Sequence, residues 1–208
     1  SNCGVNAKVI NLLANCSYDG GASIQKEKNW LNGTPHETAL SFGSSRRMIY
    51  LIAKTFKQQF KIKTYNIILP GLYGPGDHAD LNKVHALDGI IIRMLQNIKN
   101  NKKRFEIWGT GKPKREWCYI YDVGKFIKKI IVSKKERIYP INFGQKKGYS
   151  IIEIAKKTSN ILKYKFDFFY NRKFADGAAI KILCNKKFKK EFPNFKFTKI
   201  DLGIEETL

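Results

Sequence analysis

The chain has 208 residues, 43% of them hydrophobic and 13% aromatic, enough to build a core in one domain or in part of a larger one. No window holds the roughly 18 consecutive apolar residues of a membrane helix, and the amino end lacks a signal-peptide pattern, so a soluble, cytoplasmic protein without a membrane partner is expected. The net charge of +22 implies attraction to nucleic acid, anionic lipid or a phosphorylated metabolite, although Lys, Asn and Ile are abundant throughout and a general compositional bias gives the same figure.

Residues 5–15, VNAKVINLLAN, form a short apolar run that reads as a buried strand ending in a turn at Cys16-Ser17-Tyr18-Asp19-Gly20-Gly21. Residues 22–41 are polar and irregular, with a second turn at Asn32-Gly33. The spacing then predicts a helix over 44–60, because Met48, Ile52, Phe56 and Phe60 recur every four residues with Ile49 and Ala53 beside them. A strand follows at 63–69.

The stretch 70–85, PGLYGPGDHADLNKVH, is long for a plain connection and sets Asp77, His78, Asp80 and His85 among glycines and prolines, as the rim of a site does. A helix over 85–99 buries Leu87, Ile91, Met94 and Ile98 and leaves Arg93 and Asn97 elsewhere on its surface. Two short strands, 104–108 and 116–120, flank the turn GTGKPK, and Asp122 caps a helix carrying Val123, Phe126, Ile127, Ile130 and Ile131. A strand at 139–143 precedes a capping box, Ser150 with Glu153, that opens a helix through Leu162. Residues 166–170 read as the last strand, and the basic remainder as partly helical. Strands alternating with helices indicate an α/β fold with a mainly parallel sheet.

Several motifs have a plain reading beside a chemical one. Gly71-x-x-Gly74-x-Gly76 has a dinucleotide fingerprint's letters in the wrong order, and Gly109-Thr110-Gly111-Lys112 lacks the gap of a P-loop, so both read as turns. His36, His78 and His85 show no HExxH spacing, and no metal site is expected. His85 suits general acid or base work, standing where a loop becomes a helix. The cysteines, Cys3, Cys16, Cys118 and Cys184, are far apart without CxxC and read as free thiols in a reducing compartment. The basic and aromatic alternation KKFKKEFPNFKF, residues 186–197, resembles a single-strand nucleic-acid surface, but the same residues make an amphipathic element, and nucleic acid is the less favoured partner.

Taken together, Leu72-Tyr73-Gly74-Pro75-Gly76-Asp77, His85 with Arg93, Trp108-Gly109-Thr110-Gly111, Arg115-Glu116-Trp117 and Tyr121-Asp122-Val123 fall in the order seen in NAD(P)-dependent sugar-nucleotide epimerases and dehydratases, the extended short-chain dehydrogenases. The chain resembles the branch acting on GDP-sugars, over roughly the later two-thirds of such an enzyme. The resemblance implies an incomplete domain, the carboxyl-terminal part of a Rossmann-like parallel sheet with a small α/β substrate-binding subdomain. In it 1–84 is the later Rossmann core and 85–208 is mixed, largely the substrate-binding subdomain. No glycine fingerprint for the cofactor is present.

The resemblance also assigns residues. Cys16 and His85 match the pair that removes and returns protons beside a ketone, and Arg93, Trp108, Arg115 and Lys181 match positions that hold the nucleotide and its diphosphate. Ala14 stands where the family has Ser or Thr, and Phe42 and Arg46 stand at Tyr-x-x-x-Lys, leaving only Arg46 on the cofactor side. An NAD(P)-dependent, nucleotide-sugar-modifying ancestry with impaired hydride transfer is therefore implied. Two other classes stay open: a pseudoenzyme that binds a nucleotide sugar or a partner subunit without turnover, and a basic nucleic-acid-binding protein. A homodimer is a further expectation.

Overall fold

The computed structural model describes residues 7–21, 24–81, 83–133 and 135–208. Cys3 and the first two residues of the 5–15 run lie outside them. KVINLLA forms β1 (Lys8–Ala14), which ends in a 3-10 turn at Asn15–Ser17. The stretch expected to be irregular contains a two-residue strand, β2 (Ile24–Gln25), and buries Trp30 edge to face against Tyr50, ring centroids 5.3 Å apart. Tyr50 belongs to α1 (Leu40–Phe60), which begins four residues before the expected start and closes on Lys61 in a left-handed conformation. β3 (Lys63–Leu69) lies parallel to β1 with Lys8 opposite Lys63 and Ala14 opposite Leu69, so β1, α1 and β3 form a βαβ unit.

The apolar stripe of α1 faces outward. Met48, Ile52, Phe56 and Phe60 are 45–60% exposed, while Gly43, Tyr50 and Ala53 face inward. Gly43 is needed for that close approach, because a Cβ there would stand 2.8 Å from the Cys16 carbonyl oxygen. Four-residue spacing gives a helix one apolar face, but the burial is decided by what lies opposite.

The predicted loop contains a three-residue strand, β4 (Gly71–Tyr73), before α2 (Ala86–Lys99). Leu87, Ile90, Ile91 and Met94 of α2 pack with Phe105 and Ile107 of β5 (Arg104–Trp108), Trp117 and Tyr119 of β6 (Lys114–Tyr119), and residues farther along the chain. Although adjacent in sequence, β5 and β6 are not paired with each other. α3 (Ile120–Val132) takes Tyr119 as its N-cap, not Asp122, which sits inside the first turn. There Asp122 accepts hydrogen bonds from the Thr198 N–H at 2.7 Å and hydroxyl at 2.9 Å, so it fastens the carboxyl-terminal segment rather than the helix end.

The chain continues through β7 (Arg137–Asn142), β8 (Gly148–Ser150) and α4 (Ile151–Ile161), whose amino end carries the expected Ser150 and Glu153 capping box. β9 (Asp167–Asn171) is not the last strand: β10 (Ile180–Leu183) follows, then α5 (Lys186–Glu191) and α6 (Ile200–Glu205). β7 joins the first sheet, ordered β1-β3-β7, all parallel. The second runs β2-β10-β6-β4 in parallel with β8 antiparallel on β6, and β5 pairs with β9 in a third. Because β7 returns beside β3, the 85–208 half contributes to the same sheet as the 1–84 half.

The basic tail is anchored by its aromatic residues. Phe188 and Phe192 are buried and Phe195 and Phe197 pack beside them, with Phe126 at the centre of rings 4.7–5.7 Å away. Phe188 and Phe192 are core and unavailable for stacking on bases, Phe195 and Phe197 are half-buried, and Lys186, Lys187, Lys189 and Lys190 face solvent. Among the described residues no helix is long and apolar enough to cross a membrane.

Candidate active site

A cleft of about 390 Å³ opens past the carboxyl ends of β1 and β3, where open parallel sheets place their ligands. Asn15 and Gly71 follow those strands, Leu72 lies on β4, His85 and Arg93 come from α2, Trp108 from β5, Arg115 from β6 and Lys181 from β10. Three cations therefore share one concavity.

His85 is the N-cap residue of α2, where the backbone turns from extended to helical. Its ring Nδ1 lies 3.0 Å from Asp77 Oδ2, and the same oxygen accepts the His85 backbone N–H at 2.8 Å. Burial alone would raise the Asp77 carboxyl, but the backbone N–H groups of His85 and His78 and the His85 ring outweigh it, and the pKa lies below the ordinary Asp value. Farther into the helix, Asp88 is buried. Its Oδ1 accepts the Gly74 N–H at 3.1 Å, while Oδ2 has no partner among the described residues. Burial, with Asp77 adding repulsion, pushes its pKa up to about 6.

Cys16 sits half-buried in the turn after β1. Burial raises its pKa, and the charges of Lys181 and Arg46 oppose the rise. Cys16 does not itself line the cleft, but its neighbour Asn15 and its electrostatic partner Lys181 do. Lys181 pairs in register with Arg115 across β10 and β6, and burial followed by that like charge lowers its pKa.

Arg93 and Trp108 hold each other. The guanidinium lies 4.8 Å from the Phe105 ring centre and 4.4 Å from that of Trp108, and Nη1 donates to the Glu106 carbonyl at 2.9 Å. Phe174 stacks on Trp108 with centroids 4.8 Å apart. Trp108 thus carries a cation and an aromatic ring at van der Waals range while staying 44% exposed, so it is braced in the cleft wall. Its Nε1 donates to Glu106 Oε2 at 3.0 Å.

Arg115 is fixed through its Nη2, which donates to the Asp176 carbonyl at 3.1 Å. The Asp176 carboxylate accepts from both the Thr110 N–H and hydroxyl at 2.7 Å. A Cβ at Gly109 would collide with that carboxylate, which explains the glycine of the GTG turn. Beneath the cleft Glu116 accepts backbone N–H groups from Gln145, Lys146 and Leu183, tying β6 to β10; burial nonetheless pushes its pKa up to about 7. No local pattern marks Glu116 for this role, since these three donors lie 29 to 67 residues away.

Three positions, Ala14, Phe42 and Arg46, depart from the residues that the resemblance implies. Ala14 ends β1 opposite Leu69, Phe42 is exposed near the start of α1, and the Arg46 guanidinium rests 4.6 Å from the Phe42 ring centre. Ser17 is buried and Ser45 donates to the Phe42 carbonyl at 2.8 Å, so neither replaces the missing phenol. Among the described residues no three side chains form a metal-binding group, and Cys16, Cys118 and Cys184 are free thiols.

Residues 1–142 match the NAD dependent epimerase/dehydratase family. A GDP-L-fucose synthase of Dictyostelium discoideum is 27% identical over 203 residues, covering 96% of this chain and 63% of the relative. A GDP-L-colitose synthase of Yersinia pseudotuberculosis is 27% identical over 205 residues, 96% of this chain and 65% of that one. Among solved structures, a GDP-L-fucose synthetase from Naegleria fowleri bound to NADP superposes with a TM-score of 0.87 at 22% identity, covering 96% of this chain and 62% of its own. That likeness establishes the Rossmann-like α/β fold. The chain thus spans a little under two-thirds of the length of these proteins.

Proposed function

Because the chain belongs to the NAD dependent epimerase/dehydratase family, we propose that its cleft binds a nucleotide-linked sugar, a GDP-sugar, and exchanges protons on carbons beside a 4-keto group through Cys16 and His85. The observation carrying this reading is the convergence of His85 with Arg93, Arg115 and Lys181 on one cleft, with Cys16 against Lys181. Arginine forks and a lysine suit a diphosphate. One proton-carrying group removes a proton from the carbon next to the ketone and leaves an enolate; the other returns a proton to carbon. Lys181 and Arg46, whose charges act on Cys16, would offset the negative charge of that enolate.

The residues present do not fit a working nicotinamide site. Phe42 has no hydroxyl to deliver a proton, and Arg46 is laid over the Phe42 ring with its buried Nε unpartnered among the described residues. No hydride step is assigned to this chain. That same substitution favours a second reading, a pseudoenzyme that binds the nucleotide sugar without turnover. Deuterium wash-in from solvent into a GDP-4-keto-sugar separates the two: exchange that His85→Ala abolishes supports catalysis, and ligand-dependent melting without exchange supports binding alone. We extend the proposal to association with a second copy or partner subunit through the exposed stripe of α1. Concentration-dependent sedimentation that Ile52→Lys removes is expected; a wild-type monomer at all concentrations opposes self-association.

A further inference from the structure

We propose that Asp77 is a positioning residue that holds the His85 imidazole in its Nδ1–H form, leaving Nε2 as the one ring atom able to accept or give a proton at the cleft. The inference deepens the function proposed above and rests on it for the identity of the reaction, but its geometric part stands separately.

The loop that carries Asp77 turns back on itself at Gly74 and Gly76, whose φ values of 143° and 94° side chains rarely adopt. That reversal lets residue 77 meet residue 85. Among the described residues the carboxylate meets only donors: Oδ1 accepts the His78 N–H at 2.8 Å, and Oδ2 accepts the His85 N–H at 2.8 Å while lying 3.0 Å from Nδ1. An ionised carboxylate can only accept, so Nδ1 must carry the hydrogen. In a neutral imidazole Nε2 is then the acceptor, and among the described residues it has no hydrogen-bond partner.

Exposure agrees with this division. The Asp77 side chain is 15% exposed and that of His85 is 65% exposed, so the ring is anchored at one edge and open at the other. Because the same oxygen grips the backbone and the ring, the imidazole is oriented relative to the axis of α2, not merely tethered. A loop carboxylate serving only to stabilise the turn needs the two backbone contacts; the ring contact is the additional feature.

The test uses the intact chain with ¹⁵N-labelled histidine. Long-range ¹H–¹⁵N correlations report which ring nitrogen bears the proton, and His85→Gln assigns the signal among the three histidines. At a pH where the ring is neutral, wild type is expected to show Nδ1–H at His85, and Asp77→Ala a shift toward Nε2–H. Asp77→Asn retains one acceptor oxygen and is expected to keep the Nδ1–H form, which separates a lost acceptor from a collapsed loop. In the wash-in assay Asp77→Ala should lower exchange roughly ten- to a hundredfold with KM little changed, and Asp77→Asn should restore part of it. An Nε2–H wild type, or a tautomer unaltered in Asp77→Ala, overturns the proposal. So does wild-type exchange in Asp77→Ala, which leaves the proposed reaction intact; the expected tautomers with no exchange in wild type uphold the placement and reject the reaction.

Discussion

Replacing Asp88 by Asn is predicted to stabilise the fold increasingly as the pH rises. Asp88 is 4% exposed, one of its oxygens accepts only the Gly74 N–H and the other has no partner among the described residues. Its pKa in the fold is pushed up to about 6, from an ordinary 3.8. Between those values the native state binds more protons than the unfolded chain, so this carboxyl makes stability fall as the pH rises through that window. Two pKa units correspond to about 3 kcal/mol, of which roughly 2.5 kcal/mol falls between pH 4 and pH 8. Asparagine keeps an oxygen for Gly74 and cannot ionise. Urea unfolding of both proteins at pH 4 and pH 8, followed by tryptophan fluorescence, should therefore show the variant's advantage growing by about 2.5 kcal/mol. Taking the difference cancels distant titrations such as that of Glu116. An advantage that stays flat with pH, or is larger at pH 4, refutes the reasoning that Asp88 is a carboxyl whose charge the fold opposes.

Phe126→Ala removes the ring at the centre of the aromatic cluster and is expected to cost about 3–5 kcal/mol in urea unfolding, whereas Phe56→Lys on the outward stripe of α1 should stay within about 0.5 kcal/mol at dilute concentration. Equal costs would contradict the inside-out orientation of that helix. Lys181→Met should weaken GDP binding about tenfold in calorimetry and flatten its salt dependence, because a half-buried cation on the cleft wall is lost. Unchanged affinity would place the diphosphate elsewhere.

Legibility in the sequence followed how local each determinant is. β3 was plain because KTYNIIL is a continuous run stopped by Pro70, and the start of α4 was plain because Ser150 and Glu153 satisfy each other within one turn. The direction of the α1 stripe was hidden, since period alone does not say which face meets a sheet. β10 was hidden because its residues, IKIL, lie in a lysine-rich tail, and their pairing with β2 and β6 is visible only in space. Asp122 looked like a cap because its partner, Thr198, lies 76 residues away. At the cleft, the rim loop could be read from its glycines, carboxylates and histidines. The stack of Phe174 on Trp108, the burial of Asp88 and the three donors to Glu116 could not, because each depends on residues brought together by the fold.

We propose that this cleft exchanges protons on a keto-sugar without a nicotinamide, Phe42 and Arg46 standing where the resemblance implies Tyr and Lys. The most direct measurement is mass spectrometric deuterium incorporation from D₂O into a GDP-4-keto-sugar with no nicotinamide added, comparing wild type, Cys16→Ala and His85→Ala. Wild type is expected to incorporate deuterium, and both substitutions to reduce incorporation at least tenfold, since losing a general acid or base costs about a hundredfold or more. Nucleotide-sugar binding with wild-type incorporation no higher than that of either variant would contradict the proposal.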